Sequence, residues 1–165
     1  MIAKFEVTSF SRWCHGEKEY GLSALCLYRI ANRLDDWNVP VVPWVFEKLI
    51  LMIYRCVVPR QCEIGEGTEL GYGGIAVVIH ERARIGRKVM ISPCVTIGGR
   101  SGIPGVPVIE DGVFIGAGAR ILGDIRIGRR AVIGANAVVL KSVPDDAVVA
   151  GIPARVIRIE TRSEE

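Results

Sequence analysis

The sequence has few of the residues that build metal sites and disulfide frameworks. Its 165 residues include only two histidines, His15 and His80, and five cysteines. The cysteine count is odd and no Cys-x-x-Cys pair occurs, so neither a disulfide framework nor a metal site is predicted. No secretory signal opens the chain. We therefore expect reduced thiols in a cytoplasmic protein.

Strong charge and long apolar runs are also missing. Lys and Arg number 21 against 18 Asp and Glu, which gives a net charge of +3, and no basic run occurs. A nucleic-acid partner is therefore not expected. The most apolar stretch, 39–59, is interrupted by prolines and by charged residues. A membrane span is not expected, because it needs about 20 predominantly apolar residues. A buried or subunit-contacting helix is predicted instead, with membrane-surface association as the alternative.

A six-residue repeat dominates the rest of the chain. From Ile79 to Val139 an aliphatic residue occupies every sixth position, and two earlier units begin at Ile64 and Leu70. A small or β-branched residue follows four positions after most of the aliphatic ones. A helix has a period of about 3.6 residues and a strand a period of 2, so neither explains the pattern. A short strand followed by a tight turn does explain a period of six residues.

Three such units would form one triangular coil, and stacked coils would pair their short strands in parallel. The fold class predicted is mainly β, a parallel β-helix of hexapeptide repeats with a short N-terminal α-helical segment. The unbroken period predicts that residues eighteen apart, such as Ile85, Ile103 and Ile121, converge on one narrow interior.

Three regions are expected along the chain. Residues 1–59 form an N-terminal helical segment, with helices over Leu22–Leu34 and about Trp44–Val57 that are separated by prolines. Residues 60–157 form the β-helix with a C-terminal tail, and residues 158–165 are expected to fray.

Four segments resemble the hexapeptide-repeat acyltransferases, which fold as left-handed parallel β-helices. They are Val95–Gly99, Val113–Gly123, Ile133–Lys141 and Val149–Arg155. Within that family the likeness is to serine O-acetyltransferases and to short relatives that acetylate sugars in polysaccharide synthesis. The resemblance implies acetyl-CoA as co-substrate, direct transfer to a hydroxyl by a histidine base, and a homotrimer with each cofactor between two chains.

Two departures from the serine enzymes bear on the acceptor. Tyr72 stands where those enzymes carry the histidine of an Asp-His pair, and Val106 replaces a second histidine before Pro107. A sugar hydroxyl is therefore the alternative acceptor, and a non-catalytic β-helix scaffold is the alternative of another class. Zinc carbonic anhydrases share this kind of coil, but one histidine in the repeats cannot supply about three zinc ligands.

His80 is the candidate general base, because it is the only histidine in the repeats and a neutral imidazole accepts a hydroxyl proton at neutral pH. The eighteen-residue period places it in one column with three glycines: Gly98, Gly116 and Gly134. Glycines there would leave open space and exposed backbone amides for a pantetheine arm and an oxyanion. Tyr72 and Glu81 are candidates for binding the acceptor.

The cofactor residues follow from the resemblance and from charge. Turn formers and family positions point to Gly98, Gly99, Arg100, Ala117, Ala135, Lys141 and Arg155. The cationic members of this set are expected to meet the phosphates of CoA, with the cluster of Arg126, Arg129 and Arg130 as another candidate partner. Cys94 is expected to be structural, since a thiol nucleophile needs a nearby base.

Overall fold

The computed structural model describes residues 24–25, 27–30 and 42–160. All six described residues between 24 and 30 are helical, and helix α1 spans Val42–Tyr54. The remainder of the helix predicted over 22–34 lies outside the described residues, as does His15. None of the described helices is long and apolar enough to cross a membrane.

The two ends of helix α1 are explained by a proline in its first turn and by a left-handed residue directly after its last turn. Pro43 is in its first turn, where a missing backbone N–H breaks no helical hydrogen bond. Arg55 adopts a left-handed conformation with φ of 53°, which ends the helix three residues before the predicted boundary. Ile50 is buried and Phe46 packs against the core, whereas Met52 and Ile53 are exposed.

Fourteen short strands follow the helix. Their bounds are β1 Glu63–Ile64, β2 Glu69–Leu70, β3 Val78–Ile79, β4 Arg84–Ile85, β5 Met90–Ile91, β6 Thr96–Gly98, β7 Val108–Ile109, β8 Phe114–Ile115, β9 Arg120–Leu122, β10 Arg126–Ile127, β11 Val132–Ile133, β12 Val138–Val139, β13 Ala147–Gly151 and β14 Ala154–Ile159.

The strands form three sheets that are the three walls of a solenoid. Sheet 1 contains β3, β6, β9 and β12; sheet 2 contains β1, β4, β7 and β10; sheet 3 contains β2, β5, β8, β11, β13 and β14. Every strand pair is parallel except β13–β14, which closes the end of sheet 3. We call the turns from sheet 1 to sheet 2 the 1–2 corner, and those from sheet 3 to sheet 1 the 3–1 corner.

The aliphatic residue of each repeat points into the interior, as predicted. Nine isoleucines of the repeats are at most 4% exposed: Ile79, Ile85, Ile91, Ile97, Ile109, Ile115, Ile121, Ile127 and Ile133. The small or β-branched residue four positions later is buried beside them, for example Ala83, Val95 and Ala119. Burying one isoleucine side chain stabilises the fold by about 1.5–3 kcal/mol, so these columns are its main source of stability. The predicted fold class is confirmed.

The prediction for Ile103 is wrong. Eighteen residues separate the paired Ile79 and Ile97, but twenty-four separate the paired Ile97 and Ile121. The additional six residues leave the coil as a loop between Gly98 and Val108, and Ile103 in that loop is 39% exposed. Because the insertion is as long as one repeat, the six-residue period continues through it unbroken. Ile85 consequently aligns with Ile109 in sheet 2, and Ile121 lies in sheet 1.

The predicted glycine column above His80 is wrong for the same reason. Gly98 follows Ile97, the residue paired with Ile79, so it does lie next to His80 in the neighbouring coil. In the following coil the corresponding position is occupied by Leu122, which pairs with Gly98. Gly116 and Gly134 instead follow β8 and β11 in sheet 3.

Most repeat glycines are required by the stacking of the coils. A Cβ atom on Gly65 would lie 2.5 Å from the backbone carbon of Gly86, and one on Gly116 would lie 2.6 Å from the backbone nitrogen of Ala135. Gly86 and Gly128 are as tightly enclosed. Gly116, for which the sequence predicted open space, is therefore enclosed, and so is Gly134, where a Cβ would lie 2.9 Å from the side chain of Ala150.

The thiols divide by burial. Cys56 and Cys62 are buried, and desolvation raises the pKa of each to about 11, so both stay protonated at neutral pH. Cys62 donates a hydrogen bond to the carbonyl of Pro59, and its own carbonyl accepts one from the hydroxyl of Tyr28. Cys94 is free and exposed.

We expect Gly116→Ala to lower the free energy of unfolding by about 2 kcal/mol, because the new methyl group would overlap backbone atoms that cannot move independently. Urea unfolding measures this change. Gly99→Ala is the matched control, since a Cβ there meets nothing closer than 4.0 Å. Equal stability of the two variants would contradict the stacking explanation.

Candidate active site

His80 lies at the 1–2 corner, directly after β3. Its backbone N–H donates to the carbonyl of Ile97 at 2.9 Å, which fixes the corner to the neighbouring coil. Its Nδ1 accepts a hydrogen bond from the backbone N–H of Arg82 at 3.1 Å. The ring is half-buried. With Nδ1 acting as an acceptor, the neutral imidazole carries its proton on Nε2.

In this tautomer the basic nitrogen is Nδ1, and the N–H of Arg82 occupies it. For Nε2 to accept a proton, the ring must carry its proton on Nδ1 and so release the N–H of Arg82. Within the described part of the chain, no carboxylate is hydrogen-bonded to the imidazole. Glu81 is exposed and lines a shallow cleft with Glu63 and Arg84. In one chain it is not a hydrogen-bond partner of His80.

The loop between β6 and β7 borders His80. Its tip is a turn in which the N–H of Ile103 donates to the carbonyl of Arg100 at 3.0 Å, with Gly102 at a left-handed φ of 77°. The tip packs over Gly123, and Gly105 lies so close to Asp124 that a side chain on it would overlap that carboxylate. The loop therefore rests against the coil that follows it.

Gly98 and Gly99 differ from the stacking glycines. A Cβ on Gly98 would come no closer than 3.9 Å to Leu122, and one on Gly99 no closer than 4.0 Å to Val106. Neither residue has a left-handed φ. Neither packing nor backbone conformation thus requires glycine here, and the missing side chains leave the backbone beside His80 open to a ligand.

The three cationic residues predicted to bind the cofactor differ from the cluster of Arg126, Arg129 and Arg130 in whether they form ion pairs. Arg100, Lys141 and Arg155 are exposed, and no carboxylate within the described ranges forms an ion pair with them. By contrast, Glu110 pairs with Arg126 at 2.9 Å and with Arg129 at 4.0 Å.

Arg130 is bound by both carboxylate oxygens of Asp146 at 2.6 Å, and this hydrogen bonding raises its pKa. The alternative cluster of Arg126, Arg129 and Arg130 is therefore largely neutralised by its own carboxylates.

The predicted site residues fall on two corners of the solenoid. Six lie at the 1–2 corner or begin its loop: His80, Glu81, Gly98, Gly99, Arg100 and Lys141. Three lie at the 3–1 corner: Tyr72, Ala117 and Ala135. Arg155 is in β14, paired with Ala150. Sheet 1 separates the two corners, so one chain does not bring the whole set into one pocket.

Tyr72 is in a strained turn at the 3–1 corner. The turn Gly71–Gly74 contains the three extra residues that the sequence has between Leu70 and Ile79. Tyr72 has φ 54° and ψ 38°, a conformation that is uncommon for a bulky residue, and it is 54% exposed. Seven other described non-glycine residues also have a positive φ, Cys94 and Asn136 among them, so this conformation alone does not mark Tyr72 as functional.

Arg82 is a site residue that the sequence did not indicate. Its guanidinium donates to the carbonyl of Pro104 at 3.1 Å, in addition to the backbone contact with His80. The Pro104 carbonyl comes within reach only because the loop leaves the coil, so the repeat pattern contains no signal for this contact.

Comparison with known proteins places these features in a family. The family model described as bacterial transferase hexapeptide (six repeats) matches residues 107–141. The serine acetyltransferase of Synechococcus elongatus is 37% identical over 139 residues, which are 83% of this chain and 57% of that protein.

Two solved structures are similar over most of the chain. The serine acetyltransferase of Brucella abortus in complex with coenzyme A has a TM-score of 0.77 and 34% identity, covering 85% of this chain and 56% of that one. The Neisseria gonorrhoeae serine acetyltransferase in complex with serine has a TM-score of 0.73 and 35% identity, covering 80% and 54%.

The repeat, the three-walled solenoid and these matches show that the chain belongs to the hexapeptide-repeat transferase family. Within that family the chain belongs with the serine O-acetyltransferase-like proteins, as the sequence resemblance indicated. The chain spans about 57% of the Synechococcus relative's length.

We expect Gly99→Ala to weaken binding of coenzyme A about tenfold while leaving the folded protein as stable as the wild type. The added methyl group has room in the free chain but would occupy the space left beside the backbone. Calorimetric titration with CoA measures the affinity, and thermal unfolding checks the fold. Unchanged affinity would remove Gly99 from the cofactor site.

Proposed function

We propose that the protein is an acetyl-CoA-dependent O-acetyltransferase that uses His80 as general base. The observation that carries this proposal is the position of His80, the only imidazole of the solenoid, next to the open backbone of Gly98 and Gly99. The named activity of the relatives and the coenzyme A complex of the Brucella structure support the cofactor.

The chemistry is one displacement at the acetyl carbonyl. The acceptor oxygen forms a bond to the carbonyl carbon, the bond from that carbon to sulfur breaks, and CoA leaves as the thiolate. His80 takes the hydroxyl proton as the oxygen attacks and can then pass it to the leaving sulfur. A positioned base of this kind contributes about 10²–10⁴ in rate.

The geometry of His80 adds one requirement to this mechanism. Because Nδ1 accepts from the N–H of Arg82, Nε2 is a donor in the resting ring. Binding of the acceptor must turn the ring or exchange this contact before Nε2 can accept a proton. Catalytic hydrogen bonds are often long or poorly aligned in a ligand-free protein and shorten only when the substrates are bound.

Serine is the first acceptor that we propose. The relatives are named for it, and the gonococcal structure is a complex with serine. A sugar hydroxyl is the second candidate, and Tyr72 favours it. This residue replaces a histidine expected from the serine enzymes, and its exposed ring offers both an apolar face and a hydroxyl.

We also propose that the complete site forms between two chains of a homotrimer. One chain would supply the 1–2 corner with His80 and the loop, and its neighbour the 3–1 corner with Tyr72, Ala117 and Ala135. The separation of these two groups by sheet 1 in a single chain supports this arrangement. A cytoplasmic location is proposed as well, which the free thiols of Cys56, Cys62 and Cys94 favour.

We expect His80→Ala to lower kcat at least 100-fold without changing the melting temperature, because the side chain acts on the substrate and its ring makes no buried contact that holds the coil. His15→Ala is the matched control, since His15 is the other histidine of the sequence. Activity of the His80 variant within a few-fold of wild type would exclude it as the base.

Release of the CoA thiol distinguishes the acceptors. We expect turnover with acetyl-CoA and L-serine to exceed that with nucleotide-sugars and lipid-linked sugars, and a reversal would establish the sugar alternative. A non-catalytic scaffold instead predicts no thiol release with any acceptor. It also predicts no rise in melting temperature with millimolar CoA, because a ligand stabilises only the protein that binds it.

A further inference from the structure

Arg82 connects the candidate base to the loop. Its backbone N–H donates to Nδ1 of His80 at 3.1 Å, and its guanidinium Nη2 donates to the carbonyl of Pro104 at 3.1 Å. Across residues 42–160, no other residue is hydrogen-bonded both to the imidazole and to the loop. Arg82 therefore contacts both the proposed general base and the loop that borders the proposed cofactor site.

The loop has few other attachments on the side of His80. Its contacts with Gly123 and Asp124 are all with the following coil. Towards the preceding coil, the only hydrogen bonds of residues 99–107 within the described chain are the one from the Arg82 guanidinium to Pro104 and a long backbone bond of 3.5 Å from Arg84 to Pro107. Residues 99–104 are exposed, so packing does not replace these contacts.

We propose that Arg82 is a positioning residue that holds the loop against the corner carrying His80, and so sets the width of the cofactor site. This inference rests on the proposed function. The guanidinium–carbonyl bond closes the loop onto the preceding coil, leaving the backbone of Gly98 and Gly99 as the floor between loop and imidazole. Without that bond, the loop stays attached only to the following coil.

Loss of the guanidinium has a distinct kinetic signature. His80 keeps its contact with residue 82 in any non-proline variant, because that contact is made by the backbone. The loop loses one charge-assisted hydrogen bond. We expect Arg82→Ala to raise the KM for acetyl-CoA about three- to tenfold with a smaller change in kcat, which matches the typical net strength of one hydrogen bond, because this one is exposed to solvent.

The experiment compares Arg82→Ala, Arg82→Lys and Arg84→Ala in the full chain. Arg84 is the matched control, because it is also exposed and its side chain contacts Glu63 at 3.5 Å rather than the loop. Arg82→Lys retains a cationic donor, so this variant should recover part of the affinity for acetyl-CoA. Arg84→Ala should leave the KM unchanged, and all three variants should melt within about 2 °C of the wild type.

A second measurement tests the inference without catalysis. Arg82→Ala should speed backbone hydrogen exchange across residues 99–107 several-fold in the free protein, and Arg84→Ala should not. If the wild type acetylates no acceptor, the proposed function fails, and this exchange still decides whether Arg82 holds the loop. Loop exchange and a KM that are the same in the Arg82 and Arg84 alanine variants would overturn the inference.

Discussion

The close approach of successive coils is the constraint on which the rest of this structure depends. Two-residue strands offer few hydrogen bonds, so the coils are held mainly by aliphatic side chains stacked in the interior. That stacking brings backbone within 3 Å of where a side chain would begin at Gly65, Gly86, Gly116 and Gly128. The repeated glycine is thus a steric consequence of the narrow interior, and only glycines that escape this contact are available for function.

The sequence predicted the scaffold well because the scaffold is local and repetitive. Each inward isoleucine and each small residue four positions later is the outcome of one short-range rule, and the structure follows it from Ile79 to Ile97 and again from Ile109 to Val139. The repeat period alone did not predict the register across Ile103, since the six inserted residues are as long as one repeat unit. The pairing of Ile97 with Ile121 in the structure locates the loop.

The sequence predicted which residues belong to the candidate site, but not which of them lie close together. His80, Gly98 and Gly99 lie together at one corner, whereas Tyr72, Ala117 and Ala135 lie at another. Spacing along the chain identifies residues of one wall but contains no information about which walls meet between chains. Contacts such as that of Arg82 with Pro104 depend on the path of the loop, and a repeat pattern does not encode that path.

The length of the loop has a consequence for how such a protein can diversify. Removing residues 99–104 would place Ile109 six positions after Ile97, so the wall beyond the junction would keep its alignment. Segments added or lost in whole repeat units at this corner thus leave the solenoid intact and alter only what surrounds the histidine. Changes in the loop can therefore alter selectivity for new compounds without any change to the hydrophobic interior.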